Sequence, residues 1–313
     1  MDLIADIGAT NARCALLDDR GNVVSAEVFE NAAFPDVAEL LEAYLDHRRT
    51  SDRPRRAALA IAAPILSDTI EMINIDWRFS QSQLKESLHL SRLTIVNDFA
   101  ALAWALPGLG PRDRRQIGPG MPVTHAPLAV IGPGSGLGVA TLVPTLDGWS
   151  AVSGEGGHAT LAAATSDEAA IVELLREETG HCSGERALSG PGIVRMYRAL
   201  ARAAGRESAE LSPADVTELA RKGEPLANKT LAVFFSLLGT VAGNLALTVG
   251  ARGGVYIAGG IVPRLLDALQ ASAFRERFVA KGRYRSYLEP IPTYVITDPV
   301  PAFRGLRTLL GYR

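Results

Sequence analysis

Cysteine is nearly absent: the 313 residues hold two, Cys14 and Cys182, with no C-x-x-C pair and no recurring Cys/His spacing. A disulfide framework and a structural zinc site are therefore unsupported. An excess of one charge is missing as well. The 32 Lys and Arg nearly balance 34 Asp and Glu, for a net charge of −2, which leaves no electrostatic footprint for nucleic acid or an anionic membrane. The opening residues lack the basic, apolar and small-residue order of a secretion signal, so the expected address is the cytoplasm. No G-x-x-x-x-G-K-[ST] occurs, and the glycine run at 132–138 misses G-x-G-x-x-G because Leu137 and Val139 fall where a third glycine belongs. A P-loop is excluded and a Rossmann fingerprint is lacking. One uncharged stretch, residues 230–251, is long enough to cross a bilayer at about 20 residues. It carries Gly239, Gly243, Gly250, Asn244 and Ser236 and no aromatic belt, so a buried core helix is expected there and no membrane partner.

What is present is ordinary globular material, 47% hydrophobic and 21% charged, in a length that suggests two domains at about 150 residues each. Residues 2–7, 12–18 and 22–29 read as consecutive strands, a meander, followed by a helical stripe at Val37, Leu40, Leu41, Tyr44 and Leu45. Arg48, Arg49, Arg53, Arg55 and Arg56 crowd around Pro54, the pattern of a solvated connection. Short strands at 56–62 and 93–96 and a helix at 98–106 complete the first half. Residues 107–127 are dense in Pro and Gly and mark the domain boundary. A second meander at 128–131, 139–143 and 149–152 then repeats the order, with helices at 167–179 and 192–204. Ser212-Pro213-Ala214-Asp215 has the composition of a helix start. A strand at 255–257, a helix at 264–269, a strand at 295–297 and a helix at 303–310 follow.

Each meander opens on a glycine turn between two strand-like runs, Asp6-Ile7-Gly8-Ala9-Thr10-Asn11 and Gly132-Pro133-Gly134-Ser135-Gly136-Leu137-Gly138. Amides at such hairpin tips can cradle an anion, with glycine supplying positive φ and close approach. Asp6 is an acid in an apolar strand and must meet a cation, a donor or water. It reads either as a carboxylate orienting Mg²⁺ through water beside Thr10, or as an acid on the wet face of an edge strand. Asn97-Asp98 at a strand-to-helix junction reads as a helix cap or as a hydroxyl-binding pair. Glu155 and His158 lie among Gly154, Gly156 and Gly157, and Glu185 follows Gly184; singly these read as surface turns and ion pairs. Together Asn97, Asp98, Glu155, His158 and Glu185 form the acceptor-rich set that a polyhydroxylated sugar requires. Gly259-Gly260 follows a strand and reads as a plain turn or as a backbone surface for a purine.

The segments 6–13, 60–64, 95–101, 132–138, 154–158, 183–192 and 253–263, spread from Leu3 to about Pro292, resemble the bacterial glucokinase family of the hexokinase and actin-like ATPase superfamily. That resemblance implies an α/β, two-domain actin-like ATPase (ribonuclease H-like) fold, each domain a mixed β-sheet flanked by helices, with an interdomain cleft. It implies a small domain from residues 1–108 plus about 298–313, a large domain from 109–297, and a homodimer. It implies ATP-dependent phosphorylation of the D-glucose 6-hydroxyl, with ATP and Mg²⁺ as cofactors and Asp98 as catalytic base. Asn97, Asp98, Glu155, His158 and Glu185 are then sugar ligands. Ala5, Asp6, Ile7, Gly8, Ala9, Thr10, Asn11 and Arg13 form one phosphate loop, Gly132, Gly134, Ser135, Gly136 and Gly138 the other, with Gly259 and Gly260 at adenosine. Another hexose as substrate, or a catalytically silent glucose sensor, are the competing readings. Ala9 stands where the family carries a second glycine, so a positive φ there would strain it by about 1 kcal/mol. Ser135 replaces a threonine, and residues 301–305 depart from the family's small-residue turn.

Overall fold

Successive residues of a strand face opposite sides, and the central strands of the first sheet are buried on both. A computed structural model describes residues 1–48, 53–72, 75–207 and 209–312. The described chain forms two compact units, Met1–Leu109 together with the chain from Asp298 onward, and Gly110–Thr297. The first contains β1 (Asp2–Ile7), β2 (Asn11–Leu17), β3 (Val23–Glu30), α1 (Val37–His47), β4 (Arg56–Ile61), β5 (Thr69–Glu71), β6 (Arg78–Ser80), α2 (Gln81–Ser87), β7 (Arg92–Asn97) and α3 (Asp98–Ala105), and the last helix, Pro301–Leu309. Its sheet runs β3-β2-β1-β4-β7. The first three strands are an antiparallel meander, and β1, β4 and β7 are parallel. Leu3, Ala5 and Ile7 pack with Leu40, Leu41 and Tyr44 of α1 on one face. On the other, Ile4, Ala15, Leu17, Ala58 and Ala60 pack with Ala101, Phe303 and Leu306.

The arginine-rich connection lies partly outside the described residues, at 49–52. Of its described arginines, Arg48 pairs with Glu27, Arg53 with Glu42 and Asp46, and Arg56 with Asp2, while Arg55 is exposed. The departure at residues 301–305 is a helix start, with Pro301 in the first turn. Gly305 is what lets that helix approach α3, since a Cβ there would overlap the Ala101 carbonyl oxygen. Gly305→Ala is therefore expected to lower stability by about 1–3 kcal/mol, read as a shifted urea midpoint at unchanged slope.

The second unit holds β8 (Arg114–Ile117), β9 (Leu128–Pro133), β10 (Leu137–Thr145), β11 (Gly148–Gly154), α4 (Ser166–Thr179), α5 (Gly184–Ala187), α6 (Gly190–Ala203), α7 (Pro213–Arg221), α8 (Pro225–Val249), β12 (Gly254–Ile257), α9 (Leu266–Gln270), α10 (Phe274–Val279), α11 (Arg285–Leu288) and β13 (Thr293–Ile296). The sheet order is β11-β10-β9-β12-β13-β8. It repeats the first unit's pattern, an antiparallel meander whose first strand continues into two parallel strands, and adds β8 antiparallel at the edge. That strand lies inside the Pro- and Gly-rich segment read as a boundary; four residues bordered by breakers give too short an apolar signal. The helix expected at 264–269 is instead a 3₁₀ turn, Val262–Leu265, running into α9. The Ser212 start is a capping box, with Ser212 and Asp215 each accepting from the other's backbone N–H.

Among the described residues α8 is the one helix long and apolar enough to cross a membrane. Phe234, Phe235, Leu238, Ala242 and Ala246 bury it in the unit's core. Gly239 and Gly243 admit the Phe274 and Phe278 carbonyls of α10 where a Cβ would collide, and Gly250, at φ 64°, ends it.

Candidate active site

In the first unit the register Ile7–Ile61–Asn97 aligns the ends of β1, β4 and β7. The Gly8 hairpin and Asn97-Asp98 thereby emerge at one end of one sheet, where ligands of parallel sheets bind. The hairpin closes on itself through the Gly8 N–H to the Asn11 carbonyl, 3.0 Å. Neither Gly8 nor Ala9 has positive φ, so the strain expected at Ala9 is absent and glycine's left-handed freedom is not what shapes this turn. Asp6 lies on β1, the middle strand of five, which rules out the edge-strand alternative. Its partner is Arg13, at 3.6 Å directly across the ladder. Burial pushes the Asp6 carboxyl above its ordinary value and Arg13 pulls it partly back. Thr10 and Asn11 are exposed at the tip, and Ala5 and Ile7 are buried beneath it.

Asn97 is a helix cap: its Oδ1 accepts the Phe99 N–H at 2.9 Å, and its Nδ2 donates to the Ala63 carbonyl at 3.3 Å. Asp98 also accepts the Phe99 N–H, at 2.9 Å, through Oδ1. It is half-buried in the first turn of α3.

The second unit gathers the remaining candidates. The Gly134 N–H donates to the Gly136 carbonyl, and the Gly134 carbonyl accepts the Gly190 N–H, both at 2.8 Å. The Leu137 N–H donates to Glu185 Oε2 at 3.0 Å. Gly136 leaves room for that carboxylate, since a Cβ would overlap it, and Gly157 likewise lies against the Leu137 carbonyl. His158 Nε2 is 3.9 Å from Glu155 Oε2 and 3.8 Å from Glu185 Oε2. Two carboxylates and an imidazole thus converge beside a glycine hairpin whose Ser135 is exposed. None of Gly132, Gly134, Gly136 and Gly138 has positive φ; where the structure shows why glycine is needed, at Gly136, the reason is close approach. Gly259 does adopt positive φ, 84°, and presses on the Pro133 carbonyl. Beyond it Gly260, Ile193, Pro213, Thr217 and Arg264 line a hollow of about 320 Å³.

Sequence reasoning missed three contributors: Gly157, the Leu137 amide, and Asn31, whose Nδ2 donates to the Gly8 carbonyl at 2.8 Å. All act through backbone contacts between segments distant in sequence, and no spacing signals them. Among the described residues no group of three or more His, Cys, Asp or Glu is placed to hold a metal ion.

The Glucokinase family profile matches residues 3–312. The chain is 45% identical over 312 residues to glucokinase of Paramagnetospirillum magneticum, covering 99% of this chain and 97% of that one. Among solved structures, glucokinase from an Antarctic psychrotroph superposes with TM-score 0.90 at 37% identity, covering 100% and 99% of the two chains. A ROK family glucokinase from Streptomyces griseus, solved with glucose and AMPPNP, shares the fold at TM-score 0.65 and 18% identity, covering 98% of each. The fold is accordingly that of the actin-like ATPases. With the profile spanning nearly every residue and relatives near half identity end to end, the chain belongs to the glucokinase family of sugar-phosphorylating enzymes.

Proposed function

We propose that this protein transfers the γ-phosphoryl group of ATP to the 6-hydroxyl of D-glucose. The observation that carries the proposal is the convergence of Glu155, His158 and Glu185 at a glycine hairpin whose Leu137 N–H is held by the same Glu185 carboxylate. Acceptors in that number suit hydroxyls, and a mismatched sugar leaves them unpaired. Asn97 and Asp98 add a donor and an acceptor. As the sugar oxygen bonds to the γ-phosphorus and the bond to the β–γ bridging oxygen breaks, Asp98 takes the hydroxyl proton, and ADP leaves. Backbone amides of the two hairpins, with Thr10 and Ser135, hold phosphate oxygens; positioning and charge stabilisation supply most of the rate. The hollow beside Gly260 accommodates the adenosine.

A single desolvated carboxylate suits Mg²⁺, which keeps most of its water and binds one or two protein carboxylates plus phosphates. Asp6 would hold it through water, and the ion would neutralise charge on the β- and γ-phosphates. A cytoplasmic homodimer belongs to the same proposal; sedimentation equilibrium checks the dimer.

A coupled assay of ADP release across a hexose panel tests the function. Turnover highest on glucose is expected; a different preferred hexose reassigns the substrate, and glucose binding without turnover on any sugar makes the protein a sensor. Gly136→Ala tests the carrying observation. Its methyl group displaces Glu185 from the Leu137 N–H, and losing one charge-assisted hydrogen bond is expected to raise the KM for glucose about tenfold.

A further inference from the structure

We propose that Asn31 is the positioning residue of the first hairpin, its side chain holding the Gly8 carbonyl so that the Ala9 N–H faces away from it as a donor to a nucleotide phosphate. The inference rests on the ATP-dependent reading above and assigns that site a residue outside the glycine turn. Asn31 directly follows β3 and is wholly buried. Its side-chain Nδ2 donates to the Gly8 carbonyl at 2.8 Å and its backbone N–H to the Thr10 carbonyl at 2.9 Å. No cis peptide occurs among the described residues, and in a trans peptide the N–H points opposite to the C=O of the same plane. Tethering the Gly8 carbonyl therefore aims the Ala9 N–H away from Asn31. The Thr10 carbonyl bond is a backbone rung between β2 and β3, and it turns the Asn11 N–H across the hairpin towards Gly8. Ala9 is half-buried at a tip whose Thr10 and Asn11 are exposed.

Two further observations favour a dedicated role. The turn has no left-handed residue at Gly8, Ala9, Thr10 or Asn11, so it lacks the αR-αL alternation that makes an anion nest by itself. The orientation has to be imposed from outside. Asn31 Oδ1 also meets no hydrogen-bond donor. An unsatisfied buried acceptor is destabilising, and an aliphatic side chain would fill the space without it, so packing alone does not account for the amide.

Asn31→Leu keeps the volume and removes the donor, and Asn31→Ser shortens it out of reach. In both, calorimetry is expected to show ADP affinity falling about tenfold, with the KM for MgATP rising by a similar factor, while the KM for glucose stays within twofold. A lowered Tm with unchanged ADP affinity and unchanged KM for MgATP would make Asn31 a packing residue and overturn the proposal. If neither variant folds, the wild-type Ala9 amide resonance decides: it shifts on adding ADP if the proposal holds, and stays unmoved if it is wrong. Wild-type protein that turns over no hexose with ATP would instead overturn the functional reading, and a phosphate titration followed at the same amide would still test the hairpin.

Discussion

Asp98→Asn is expected to lower kcat by about 10²- to 10⁴-fold, the usual contribution of a positioned general base. An asparagine Oδ1 still accepts the Phe99 N–H that Asp98 accepts now, so the first turn of α3 keeps its cap. What disappears is the carboxylate able to take the hydroxyl proton. Sugar binding should survive, because Glu155, His158, Glu185 and Asn97 are untouched. Glucose at 100 times its Kd should still stabilise the variant by about 2.7 kcal/mol, seen as a raised Tm. An Asp98→Asn protein with near-normal turnover would remove Asp98 from its proposed role. Loss of both turnover and thermal protection would show that the side chain binds sugar more than it takes protons.

Arg277→Met is expected to cost about 3–5 kcal/mol of stability, for a reason unrelated to the site. In the second unit Arg277 donates to Glu168 Oε2 at 2.9 Å and to Thr240 Oγ1 at 2.9 Å. The Glu168 side chain is 4% exposed and that of Arg277 13%. Without the guanidinium, Glu168 keeps only the Ala164 N–H, at 2.8 Å, too little for a carboxylate out of water. For a unit of this size the loss corresponds to a Tm lower by roughly 6–20 °C. Adding Glu168→Leu to Arg277→Met should recover much of it, since a well-packed apolar pair often matches a buried ion pair. A double variant no more stable than the single one would mean that the arginine acts through Thr240 or through packing.

The meanders, the capped helix at Ser212 and the helix after Asn97 were legible because each is written locally: period-two alternation, turn glycines, a serine three residues before an acid. The strand at Arg114–Ile117 and the helix at Phe274–Val279 were not, since short elements carry little periodicity and are stabilised by β13 and α8. Within the candidate site, the two glycine hairpins could be read in advance. The glycine turns were expected to supply positive φ as well as close approach, and a positive φ at Ala9 would have strained it. Neither hairpin uses positive φ, and Gly136 and Gly157 serve close approach of a carboxylate and a carbonyl, a constraint that exists only once remote segments pack.

From the sequence alone came the lack of a P-loop or Rossmann motif, the order of most strands and helices and the two glycine hairpins, because motif spacing and short-range periodicity are properties of the chain itself. Only the tertiary structure decided that Glu185 grips the Leu137 amide, that Asp6 lies on a central strand facing Arg13, and that Asn31 holds the Gly8 and Thr10 carbonyls. Those contacts join residues from 7 to 48 positions apart. Which partners meet across such separations is settled by strand register and by the space that glycine leaves open, and both arise only when the sheets form.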